Sequence, residues 1–145
     1  MSQKRVDQVT IRPSKLASKT SDQENLPDYL TKEVRKEIYK KYEEAFNSRD
    51  YDSLWNLFSD LAKSRMNKNE IDKSHDKLLD MFGEVSNGVF TYYEFLGRQG
   101  NLRTFVLHYN IDLPESKFGN RGELKITIPD DGTEYGIFGS NMQAM

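Results

Sequence analysis

Cysteine is absent from the 145 residues, which excludes a disulfide framework, a thiolate zinc site and a thiol nucleophile. Histidine occurs only twice, too rarely for a His-rich metal centre. No apolar run approaches the roughly 18–20 residues of a membrane-spanning helix, and no apolar core of a secretory signal is present in the sequence as it stands. Neither sign of charge dominates: 21 Lys and Arg stand against 23 Asp and Glu, a net charge of −2. A chain so balanced offers no broad positive field for nucleic acid, whose binding depends on neutralising several phosphates. Sixteen Phe and Tyr and one Trp are, by contrast, enough aromatic surface for one folded domain with a core.

The charge is unevenly placed. Residues 1–26 carry Lys4, Arg5, Arg12, Lys15 and Lys19 against Asp7, Asp22 and Glu24, and are otherwise rich in Ser, Thr and Gln. This composition predicts a polar, basic arm or linker. Within it, Val9 and Ile11 are spaced to add a short strand to a partner. The compartment stays open, because an arm of this kind also precedes domains whose anchor or signal lies outside the sequence.

From residue 27 the pattern turns helical. Leu30, Val34, Ile38, Tyr42, Ala45 and Phe46 recur at steps of three and four, with Pro27 and Asp28 as the expected start. Asn47 to Asp50 interrupts the pattern. Leu54, Trp55, Phe58 and Leu61 predict a second, shorter helix capped by Asp50 or Asp52. Asn67 and Glu70 open a third, with Ile71, Leu78, Leu79 and Phe82 on its apolar face and Gly83 at its end.

After Gly88 the period drops to two. Strands are expected over 89–96, 102–113, 122–128 and 133–138, with turns at 97–100 and at Asp130-Asp131-Gly132. In the second strand Phe105, Leu107, Tyr109, Ile111 and Leu113 share one face; Leu102, Thr104, Val106, His108 and Asn110 share the other. Helices followed by an antiparallel meander imply an α+β fold, three helices packed on one face of a curved four-stranded antiparallel sheet. The second face, with Leu102, Thr104, Val106 and His108, then needs a partner. A second copy of the chain is expected there, making the protein a homodimer.

The stretch from Tyr42 through Phe46-Asn47-Ser48-Arg49-Asp50-Tyr51-Asp52-Ser53-Leu54 to Ser59 resembles the turn between the first two helices of nuclear-transport-factor-2-like domains. The whole of 27–139 is similar to the small bacterial branch of that superfamily, whose function is unknown and whose members are often exported; residues 140–145 would be a tail. The resemblance implies a cone-shaped, cystatin-like roll with a pocket between the long helix and the concave sheet, often dimeric through the sheet. The superfamily holds isomerases, dehydratases and cyclases beside non-catalytic binding domains, and fold alone does not choose between them.

Candidate chemistry is sparse. His108 sits mid-strand, where Glu94 or Tyr92 can face it across the sheet, the minimum for a proton shuttle in a small lyase or isomerase. Its phase along the strand places it instead on the face away from the helices. His75, four residues after Ile71 and three before Leu78, is expected as a hydrogen-bonded histidine at the edge of the core. Tyr39, Tyr42, Tyr93 and Tyr109 either line a pocket for a small apolar ligand or pack as core aromatics with their hydroxyls at the rim. Asp130, Asp131 and Glu134 lack the longer patterned loop of a calcium site. The glycines of 118–122 match no phosphate or dinucleotide motif. The residues suggest no metal and no cofactor; they favour a non-catalytic binding or assembly module, with a protein partner or a small apolar molecule as the ligand class.

Overall fold

A computed structural model describes residues 24–132 and 136–145; the arm of 1–23, including the Val9–Ile11 segment, lies outside the described residues. Helix α1 covers Lys32–Asn47, α2 Tyr51–Asn56, α3 Asp60–Arg65 and α4 Lys68–Phe82. Strands β1 (Ser86–Gln99), β2 (Leu102–Asp112), β3 (Arg121–Asp130) and β4 (Gly139–Ala144) follow, paired antiparallel in the order β1-β2-β3-β4. The fold is α+β, four helices and an open four-stranded antiparallel sheet.

Each helix starts at a side-chain cap, as the orphan amides of a first turn require. Thr31, Asp50, Ser59 and Asn67 accept from the amides of Val34, Ser53, Ala62 and Glu70 respectively. Helix α1 is therefore capped at Thr31 and begins at Lys32, later than Pro27. The Pro27 carbonyl instead accepts from the Leu30 amide at 3.0 Å, closing a turn that buries Leu30.

The expected second helix is two helices, making four among the described residues. Its pattern breaks at Phe58, which forms a parallel bridge with Ile137. The Ser59 amide donates to the Ile137 carbonyl and the Ile137 amide to the Leu57 carbonyl, both at 2.8 Å. Backbone groups committed to this bridge are withdrawn from the helix ladder. The contact also demands Gly136, because a Cβ there would stand 2.6 Å from the Ser59 Cα.

The last strand differs from expectation as well. Residues 133–135 lie outside the described residues, and pairing with β3 runs over Gly139–Ala144, where a tail was expected. Alternation explains this. Met142 is buried against the core and Ser140 bonds the Tyr42 hydroxyl, while Asn141 and Gln143 point away.

The core lies between the helices and one face of the sheet. Leu107, Tyr109, Ile111 and Leu113 with Leu124, Ile126 and Ile128 form the sheet side. Ile38, Tyr39, Tyr42 and Phe46 from α1, Leu54, Phe58, Leu79 and Phe82 form the helical side. Such burial stabilises by about 1.5–3 kcal/mol per large side chain. Strand β1, at one edge of the sheet, carries three register irregularities along its pairing with β2, a device that twists an edge and discourages further pairing.

Candidate functional site

Alternation along β2 turns Leu107 and Tyr109 toward the helices and Val106 and His108 to the open face. Register then fixes their neighbours. His108 lies between Tyr92 of β1 and Lys125 of β3, and Val106 between Glu94 and Thr127. His108 Nε2 is 2.6 Å from Glu94 Oε1, and Nδ1 is 3.1 Å from Glu123 Oε2. The ring of Tyr92 stacks on the imidazole at 4.0 Å between centroids and 11° between planes. Covered by these side chains, His108 is 1% exposed while Tyr92 keeps half its surface in solvent.

The structure thus brings His108, Glu94 and Tyr92 together, but on the face opposite the helices. A lyase or isomerase built on them needs an enclosed apolar cavity inside the roll, and that version of the site is set aside. Glu123 is the partner that sequence reasoning missed. Its outward position in β3 was visible, but its register against His108 was not.

Of the four tyrosines expected at a pocket, Tyr39, Tyr42 and Tyr109 are buried in the core and Tyr93 is half-buried. Tyr39 and Tyr109 pack at 5.5 Å and Tyr42 stacks on Phe46 at 5.6 Å. Their hydroxyls are engaged: Tyr39 donates to Glu43 and Tyr109 to the Arg35 carbonyl, both at 2.7 Å, and Tyr42 pairs with Ser140 at 3.2 Å. Burial pushes the Tyr42 phenol up to about 12. An open cleft of about 330 Å³ lies instead between the end of α1 and α2, lined by Lys41, Glu44, Ser48, Asp50 and Ser53. A second, of about 480 Å³, borders Glu24 and Arg103. None of the four tyrosines lines either cleft.

His75 of α4 is 4% exposed among the rings of Tyr42, Tyr51 and Phe58. Its Nδ1 has no hydrogen-bond partner among the described residues, unlike the bonded histidine expected. Burial holds its pKa below the usual imidazole value, only partly opposed by Asp72.

A third polar cluster joins the start of the described chain to the sheet. Arg103 donates to Asp130 Oδ2 at 2.7 and 3.0 Å and to Glu24 at 3.2 Å; Arg98 also reaches Glu24 at 2.8 Å. The Tyr29 hydroxyl donates to Asp130 Oδ1 at 2.7 Å. Burial raises the Asp130 pKa, but the bonds from Tyr29 and Arg103 outweigh it and hold the carboxyl below its ordinary value. Asp130 is thus a structural anchor at the end of β3. Among the described residues no group of three or more His, Asp or Glu is placed to hold a metal ion. No helix among them is long and apolar enough to cross a membrane.

No family model matches the chain, and no curated protein matches it. Among solved structures it is similar to one from Cytophaga hutchinsonii, over 83% of this chain and all of that one, at 15% identity and a TM-score of 0.47. That neighbour is an NTF2-like protein. The α+β arrangement itself rests on the strand order, register and core described above.

Proposed function

We propose that this domain is a non-catalytic binding or assembly module that associates with a second copy through the open face of its sheet. The observation that carries the reading is the distribution of apolar and titratable groups. On the helical face, tyrosines that would line a ligand cavity are packed with their hydroxyls engaged. On the open face, Val89 and Tyr92 stand exposed beside a buried Val106 and His108, with Leu96 exposed further along β1.

The expected contact set of Leu102, Thr104, Val106 and His108 changes in detail. Val106 and His108 already lie beneath neighbouring side chains, so they form the floor of the face, and Leu102 and Thr104 are half-buried. Val89 and Tyr92 supply the surface a partner copy would cover. Patches of this kind on an otherwise polar chain are characteristic of association sites.

Thermal melting at two protein concentrations tests the reading, because assembly stabilises the folded state by mass action. The melting temperature is expected to rise with concentration. A concentration-independent melting temperature, together with a reproducible shift on adding small apolar acids, would contradict assembly and return the function to a ligand site.

A further inference from the structure

An asparagine side-chain amide is a thermolabile group, most of all when the next residue is glycine, whose backbone nitrogen no Cβ shields. The chain holds one such pair, Asn87-Gly88, and the fold calls for both members. Asn87 has a φ of 54°, in the left-handed region that asparagine enters more readily than other side chains. A Cβ on Gly88 would stand 2.2 Å from the ring of buried Tyr39, so no larger residue fits there.

Register places the pair in a bulge. Ser86 pairs with Asp112 and Val89 with Asn110, so Asn87 and Gly88 together oppose Ile111. The ladder is interrupted at that point, and Asn87 is exposed to water. Its Nδ2 donates to Asp112 Oδ2 at 2.8 Å, while Asp112 Oδ1 lies 3.2 Å from Arg121 Nε. One carboxylate of β2 thus ties the start of β1 to the start of β3.

We propose that Asn87-Gly88 is a site of spontaneous deamidation that undoes this tie. The Gly88 nitrogen, giving its proton to hydroxide, attacks Asn87 Cγ. The N–Cγ bond forms, the Cγ–Nδ2 bond breaks, and Nδ2 leaves as ammonia after taking protons from water. Water then opens the five-membered imide. Opening at Cγ gives an aspartate at this position; opening at the backbone carbonyl gives an isoaspartate, in which the chain runs through the side chain. Amide and water become acid and ammonia, and nothing is oxidised or reduced.

Either product sets a second carboxylate against Asp112 in place of a donor. Like charges directly opposite across a strand pair are destabilising, so the Ser86 end of β1 loosens. Val89, two residues on, stands on the open face. An effect on assembly rests on the assembly reading above; the deamidation does not.

Peptide mapping by mass spectrometry of the full chain, fresh and after ageing in mildly alkaline buffer, tests the site. Conversion is expected at Asn87 ahead of Asn101, Asn120 and Asn141, as two products of equal mass that elute apart. An Asn87 that keeps its amide, or converts no faster than those three, overturns the site. Asn87→Gln retains an amide but cannot close the five-membered ring; the same mass change in its peptide would place the chemistry elsewhere and overturn the site too. Asn87→Asp, examined fresh, tests the consequence separately. Amide exchange protection over Ser86–Phe90 is expected to fall by about fivefold, the size of one ordinary hydrogen bond. Unchanged protection overturns the loosening, not the site. Sedimentation of fresh and aged protein reports on assembly alone: an equal mass overturns only that coupling.

Discussion

The carboxamide of Asn47 donates to the carbonyl of Val85 at 2.8 Å and accepts from its amide at 2.9 Å. One side chain at the end of α1 thus satisfies both backbone groups of the residue that leads into β1. The helix and the sheet edge are joined here across 38 positions of sequence.

Replacing Asn47 by Ala removes both bonds and leaves the backbone of buried Val85 without them. At about 1 kcal/mol per bond, with more for groups left unsatisfied, Asn47→Ala is expected to destabilise by about 2–3 kcal/mol. Urea denaturation with an unchanged slope measures it. A change below about 0.5 kcal/mol, typical of ordinary surface sites, would show that the two Asn47 bonds contribute little.

His75 predicts a pH dependence of stability with a definite sign. Burial among Tyr42, Tyr51 and Phe58 keeps its folded pKa below the unfolded value, so the unfolded chain binds the proton first. Stability is complete above about pH 6.5, the ordinary imidazole value, and declines as pH falls below it. His75→Phe keeps a ring in the cage and removes the titration. Melts of both proteins between pH 7.5 and 5 are expected to diverge, the unmodified chain losing more stability toward acid. Parallel curves would contradict the buried, unbonded histidine.

Arg103 meets Asp130 through Nε and Nη2 while its remaining nitrogen reaches Glu24. A lysine ammonium cannot span both carboxylates from a planar fork. Arg103→Lys is expected to cost about 1–2 kcal/mol, and Asp130→Ala more, because it strips the bonds of both Tyr29 and Arg103. The Asp130 contribution is present above the ordinary carboxylate value of about 4 and is lost as pH falls through its lower folded value. Chemical denaturation at pH 7 ranks the two variants. Arg103→Lys at wild-type stability would reduce the network to a surface ion pair.

How far the sequence reaches can be judged residue by residue. The alternation of β2 and β3 was legible because Leu107, Tyr109, Leu124 and Ile126 are large and apolar and their intervening residues polar. Strand β4 was not, since Ser140, Asn141 and Gln143 have little strand preference and only Met142 and Ala144 are apolar. The division of the second helix was invisible too: Leu57, Phe58 and Ser59 continue a helical pattern, and the bridge to Ile137 that breaks it is a tertiary event. At the open face, phase alone indicated which way His108 points. That Glu123 would stand at its second nitrogen depends on the register of β3 on β2, which no single-chain pattern specifies.

Association of two copies through the open face of the sheet is decided by sedimentation equilibrium of the unmodified protein beside the Val89→Lys, Tyr92→Lys double variant. Both substitutions fall on exposed side chains of β1 and leave the core untouched. A mass near twice that of the 16.9 kDa chain is expected for the unmodified protein, with a shift toward monomer in the variant. A monomer in both, or a dimer indifferent to the two lysines, would contradict it.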